Sequence, residues 1–440
     1  MMRSDEIHGW GRYPVIKAEI DTPKVISEVG ESLRVAPGSS ILARGLGRSY
    51  GDSSLNDRVI DAQYLKYLIS FDQASGLLTC QAGVSLAEIL RVFVPKGWFL
   101  PVTPGTRFVT LGGAVASDVH GKNHHVSGCF CEHVESLEIQ VSPDLIVTCS
   151  RTSHPELFIA TCGGMGLTGV ILTVTLRLKP ITSDFMEQKT FKAQNLGRAL
   201  ELFEANREST YSVAWIDCVA TGSALGRSLV MTGEHAAGHR LSSKSNKSLS
   251  VPVDMPSQLL NSFSVSLFNS IYYNRIMGSM VRQQVHYESF FYPLDGVLHW
   301  NRLYGKNGFT QYQFVIPKSA GLQGMRMILG EIAKSGKGSF LAVLKVFGKE
   351  NRNLLSFPME GYTLALDFKI ENDLFPLLDR LDAMVLELGG RLYLTKDARM
   401  KEKTFSEGYA RIAQFQSVRE KYGVKGLFAS HQSRRLGLDI

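Results

Sequence analysis

Cysteine is scarce in this chain. Six residues among 440, at positions 80, 129, 131, 149, 162 and 218, include no CxxC pair. A disulfide-dense scaffold is therefore excluded, and free, buried thiols in a reducing compartment are expected. The opening MMRSDEIHGWGRYPVIK has no apolar h-region, so no secretory signal is expected. No HExxH occurs, and a serine hydrolase is not expected either. An excess of one charge is also lacking: Lys+Arg number 48 against 41 Asp+Glu, a net +7. That suits an anionic ligand or a membrane surface, and it is too weak and scattered for nucleic acid. A 20-residue uncharged run, Leu157 to Leu176, carries Gly163, Gly164, Gly166 and Gly169, which weaken a helix. It reads as a short helix after His154-Pro155-Glu156, a glycine turn and a buried strand, rather than a membrane span.

What is present is an ordinary globular balance, 44% hydrophobic and 20% charged, on a length that suits two or three domains. The first half alternates strands and helices. Leu77 to Ala82 is strand-like. Ser85 and Glu88 form a capping box opening a helix that closes near Gly97. Residues 134–140 and 144–149 read as strands around a Ser142-Pro143-Asp144 turn. After residue 185 the texture changes, with strands at 308–317, 339–348 and 361–368 separated by helices. Gln311 and Gln313 share one strand face, which lines either a wet cavity or solvent. Residues 235–257 are serine-rich and basic, a candidate mobile loop. Leu260, Phe263, Leu267 and Ile271 then recur at helical spacing. From 236 to 283, Arg240, Lys244, Lys247, Arg275 and Arg282 face one acid, Asp254. The pattern fits a packed helix beside a solvated loop, or a basic, apolar lid that meets a membrane or a lipid phosphate.

Three glycine-rich turns carry the chemistry. The first is Ala43-Arg44-Gly45-Leu46-Gly47-Arg48-Ser49-Tyr50-Gly51-Asp52, which lacks the dinucleotide GxGxxG spacing. The second runs from Pro104-Gly105-Thr106 through Gly112-Gly113 to His120-Gly121-Lys122-Asn123-His124-His125. The third is Gly163-Gly164-Met165-Gly166-Leu167-Thr168-Gly169. Glycine lets backbone N–H groups approach a ligand closely. Three such turns suggest one extended ligand wrapped by several loops. The histidines near Cys129 and Cys131 match no zinc spacing, and no metal is expected.

These turns, in this order, resemble the flavin-binding domain of the vanillyl-alcohol-oxidase superfamily. GLGRSYGD, PGTRFVTLGGAVASDVHGKNHH, GGMGLTG, QYQFVIP, GGRLYLTKDAR and the terminal FAS…RRL resemble the decaprenylphosphoryl-β-D-ribose 2′-oxidase family over nearly the whole chain. The resemblance implies an α+β, two-domain FAD-binding fold. Residues 1–184, completed by 391–440, would bind the cofactor. Residues 185–390 would bind substrate on an antiparallel sheet flanked by helices. It implies FAD-dependent oxidation of the 2-hydroxyl of a polyprenyl-phosphate-linked pentose to a ketone, the first half of an epimerisation completed by a short-chain reductase. The alternative is a flavin oxidase of a soluble sugar, alditol or aldonolactone. Gly47-Arg48-Ser49 stands where first-loop covalent relatives carry histidine, so FAD is expected to be non-covalent.

The same resemblance implies site residues. Cofactor contacts would be Arg44, Gly45, Gly47, Arg48, Ser49, Tyr50 and Gly51 in the first turn. Gly105, Thr106, Gly112, Gly113, Ser117, His120, Gly121 and Asn123 would follow in the second, then Gly164, Gly166 and Gly169, and finally Tyr393. Lys396 would hold the substrate hydroxyl and the flavin edge, with Lys122 and Tyr50 as its catalytic neighbours. Gln311, Gln313 and Lys345, with Lys122 and Lys396, would line the substrate cavity. The expected location is the cytoplasm, peripherally bound to the inner face of the membrane.

Overall fold

The computed structural model describes residues 3–238, 241, 249–256 and 260–439. A five-stranded antiparallel sheet runs Leu68–Asp72, Leu77–Gln81, Val170–Arg177, Val134–Ser142, Leu145–Ser150. Its middle strand, Val170–Arg177, is β-branched and almost wholly buried, which accounts for the long uncharged run. The helix Pro155–Thr161 precedes it, and the turn between them holds Gly163, Gly166 and Gly169 at positive φ. A Cβ on Gly169 would sit 2.6 Å from Ile139 Cγ2, so only glycine lets this strand enter the sheet. Among the described residues no helix is long and apolar enough to cross a membrane. The capping box forms as expected: Glu88 N–H donates to Ser85 Oγ, and Ser85 N–H donates to the Glu88 carboxylate. That helix, Leu86–Phe93, runs on through a 3-10 turn to Gly97 at φ 81°.

A four-stranded sheet orders Arg3–His8, Val15–Asp21, Arg58–Asp61 and Leu42–Arg44. Its last strand delivers the first glycine turn. The largest sheet has eight antiparallel strands: Met280–His286, Phe185–Ala193, Ser228–His235, Tyr211–Ile216, Ala342–Phe347, Gly361–Lys369, Phe309–Pro317 and Arg391–Leu392. Period-two alternation divides its faces. Leu344, Leu364 and Phe314 stand in register on one face and are buried in the main core, which also takes Leu329 and Leu381 from the flanking helices Gly321–Lys334 and Leu374–Glu387. Lys345, Thr363, Val343, Ala365 and Gln313 stand on the other face and line a cavity. The two-sided composition of the glutamine strand thus resolves to the wet-cavity reading.

Two expectations need correcting. A helix separates Phe309–Pro317 from Ala342–Phe347, but none lies between Phe347 and Gly361. That stretch spends its polar groups on Asp118, whose Oδ2 accepts from Asn351 Nδ2 at 2.7 Å, Asn353 Nδ2 at 2.8 Å and Ser356 Oγ at 2.7 Å. The apolar spacing Phe263, Leu267, Ile271 does fall on a helix, Ser262–Asn274, yet that stripe faces solvent while Val265, Asn269 and Tyr273 are buried. Of the serine-rich stretch 235–257, residues 239–240, 242–248 and 257 lie outside the described residues, Arg240, Lys244 and Lys247 with them. All six cysteines are free and buried.

Candidate active site

The cavity has a volume of about 560 Å³ and runs between the glycine turns and the eight-stranded sheet. Leu42–Arg44 ends at its wall, and Arg44 folds back to donate to His8 O and Ser54 O, fixing the turn's entry. Arg44, Gly45, Gly47, Arg48, Ser49 and Tyr50 line it, as do Gly105, Thr106, Gly112, Gly113, Ser117, Gly166 and Gly169. Two close approaches explain the glycines. A Cβ on Gly45 would collide with Thr110 Oγ1, and one on Gly112 would lie 2.9 Å from the Ala82 Cβ. The run Gly47-Arg48-Ser49-Tyr50-Gly51 also has GxSxG spacing, but Ser49 Oγ donates to Ser54 Oγ at 3.0 Å rather than to a histidine, so no hydrolase triad forms.

Gly51, Gly121, Asn123 and Gly164 do not line the cavity. Gly51 sits at φ 60° against the Asp397 carbonyl, where a Cβ would clash. Gly164 packs against Ala160 O. Asn123 is buried and donates to Pro101 O at 2.9 Å, and Gly121 lies behind it. These four support the wall from behind.

The sheet side of the cavity is charged. The short strand Arg391–Leu392 pairs with Phe314 and Val315, and Tyr393 N–H donates to Gln313 O. The following 3-10 turn, Leu394–Lys396, is held by Tyr50 N–H on Thr395 O and by Arg435, which bridges Asp52 and Asp397. Lys396 Nζ is thereby set 4.1 Å from the Tyr50 ring centroid. Burial lowers its proton affinity to about 7, Asp367 opposes that shift, and Lys345 adds to it. Burial likewise brings Lys345 to about 8.

His120 is buried between Gln313, 3.0 Å from its Nε2, and Lys345, 3.4 Å from its Nδ1. The Gln313 Nε2 amide donates to His120 Nε2, which places the proton of the neutral ring on Nδ1, beside Lys345 Nζ. Burial first, then Lys345, drives the His120 affinity far down, so the ring stays neutral. Lys122 also lines the cavity, but its Nζ donates to the carbonyls of Phe290 and Phe291 at the end of the helix Tyr287–Phe291. Burial and Lys345 lower it to about 7. In this arrangement Lys122 ties the second glycine turn to the sheet side.

One residue escaped the sequence reading. Asp367 stands in register with Gln311, so both point to the cavity face. Its carboxylate accepts from Gln311 Nε2 at 2.6 Å and from Tyr304 OH at 3.3 Å. Burial raises its affinity to about 7, against the pull of Lys396. A lone aspartate in an apolar strand gives no motif; only the strand register reveals its face.

FAD fits this cavity. Among the described residues, no atom lies within 4 Å of where a Cβ on Gly105 would stand, and Ser53 Oγ is a buried hydroxyl on the wall with no hydrogen-bond partner. Among the described residues no group of three His, Cys, Asp or Glu could hold a metal. Residues 18–150 match the FAD binding domain family. Decaprenylphosphoryl-beta-D-ribose oxidase of Mycolicibacterium smegmatis is 37% identical over 98% of this chain and 97% of its own. An uncharacterized protein of Streptomyces coelicolor is 29% identical over 81% of this chain and 100% of its own. L-gulonolactone oxidase of Bos taurus is 28% identical over 43% of each.

Fold, cavity and matching domain define an FAD-binding oxidoreductase. Within that class, the chain belongs to the decaprenylphosphoryl-β-D-ribose oxidase family.

Proposed function

We propose that the chain oxidises the 2-hydroxyl of a polyprenyl-phosphate-linked pentose to a ketone, opening an epimerisation that a short-chain reductase completes. The observation that carries this reading is a single cavity with glycine turns at one end and Lys345, Lys396, Gln311 and Gln313 at the other. The M. smegmatis relative, alike over nearly all of both chains, supports the substrate class. Residues 1–184 with 391–440 would hold FAD and residues 185–390 the substrate, the protein working at the inner face of the membrane. FAD, when bound, supplies a two-electron acceptor for the hydrogen that leaves the sugar carbon.

The chain's own groups handle the proton. Lys396, with an affinity near 7, accepts the hydroxyl proton at Nζ as the carbon–oxygen bond becomes double. The Asp367 carboxylate holds the resulting ammonium in place. Gln313 and neutral His120 orient the sugar, and Lys345 attracts its anionic linkage. Arg48, 4.1 Å over the Trp10 ring, occupies the first-loop attachment position, so FAD is held without a bond to it. Heat or acid should release the flavin into the supernatant; yellow colour retained in the pellet would refute this. Anaerobic addition of decaprenylphosphoryl ribose should bleach the flavin. Bleaching by aldonolactones or alditols alone would favour a soluble-sugar oxidase.

A further inference from the structure

The helix Ser262–Asn274 has two apolar faces. Its inner face buries Val265 and Tyr273, and Tyr272 packs 4.7 Å from Trp215, both of them on the cavity wall. Its outer stripe, one residue per turn, leaves Phe263 76%, Leu267 51% and Ile271 64% exposed, and Met277 beyond it is 88% exposed. A single exposed leucine needs no explanation, but four large apolar side chains on one helix and its exit do. The next residue on the stripe is Arg275, which lines the cavity and stacks 3.8 Å over Tyr272. From Met255 to Tyr287 there is no Asp or Glu, while Arg275 and Arg282 are exposed. An apolar ridge with cations and no carboxylate complements an anionic lipid surface rather than another protein's mixed surface.

We propose that the outer stripe of this helix embeds in an anionic bilayer, so that a lipid-linked sugar passes along Arg275 from membrane to cavity while its tail stays in lipid. This rests on the substrate class proposed above and moves the membrane contact from the basic loop at 235–257 to Phe263, Leu267, Ile271 and Met277.

The test uses flavin-loaded protein and phosphatidylcholine vesicles with and without phosphatidylglycerol. Wild type should co-sediment with the anionic vesicles. F263S/L267S/I271S, whose altered side chains are all exposed, should retain its flavin and partition at least tenfold less. Its KM for a decaprenyl substrate in vesicles should rise, with turnover of a short-chain soluble analogue unchanged. F263W should blue-shift its emission on vesicle addition, a readout that requires no loss of fold. Equal sedimentation of wild type and the triple variant, or an unshifted F263W, would overturn the proposal. A wild-type dimer that becomes monomeric in the triple variant, with no vesicle binding by either, would overturn it in favour of a second copy. Stripe-dependent vesicle binding without turnover of any lipid-linked pentose would instead leave the stripe assigned and reject the substrate reading.

Discussion

The two walls of the cavity solve different problems with different material. The glycine-turn wall works by backbone shape: Gly45 and Gly112 admit neighbours that any side chain would displace. The sheet wall works by charge: half-buried Lys345 and Lys396 line it, buried Asp367 stands on the same sheet face, and their proton affinities converge near 7 to 8 from opposite directions. On the function proposed above, shape would bind the cofactor whatever the pH, whereas charge shielded from bulk solvent would set when a proton can move. Damage to the first wall should therefore cost cofactor, and damage to the second should cost rate and shift its pH dependence.

The largest effect should come from Gly45→Val, whose side chain meets Thr110. The purified variant should be colourless and inactive at every pH, checked by flavin absorbance after gel filtration. Full flavin content would show that close approach here is not what seats the cofactor.

Next, Lys396→Ala should keep its flavin and slow anaerobic flavin reduction by roughly 10²–10³, the scale of one positioned electrostatic contact. An unchanged stopped-flow rate would remove Lys396 from the chemistry.

The smallest and sharpest effect belongs to Asp367→Asn. Flavin reduction in the wild type should rise with pH through about 7 as Lys396 loses its proton. Asp367 holds that proton on, so its removal lowers the Lys396 affinity further and the rising limb should move about one unit toward acid. A merely structural role would lower the rate without moving the limb.

The same division governs what could be read from the sequence. The glycine turns were legible because close backbone approach demands one residue type at fixed positions. The capping box at Ser85 and Glu88 was legible for a similar local reason. Lys396 was found through its motif. Asp367 was not, because its meaning depends on register with Gln311, 56 positions away in the chain. The helix at 262–274 was legible as a helix, but periodicity alone could not say that Val265 and Tyr273 would win the core over Phe263 and Ile271. Lys122 shows a third limit: a cation beside the cavity whose ammonium is bound to the Phe290 and Phe291 carbonyls.

The most direct test of the central claim is an anaerobic single turnover of flavin-loaded protein with decaprenylphosphoryl ribose, followed by mass analysis of the sugar. The account predicts bleached flavin and a lipid-linked pentose lighter by two hydrogens, with no bleaching by free ribose or an aldonolactone. Flavin that is reduced by the soluble sugars and left oxidised by the lipid-linked pentose would contradict it.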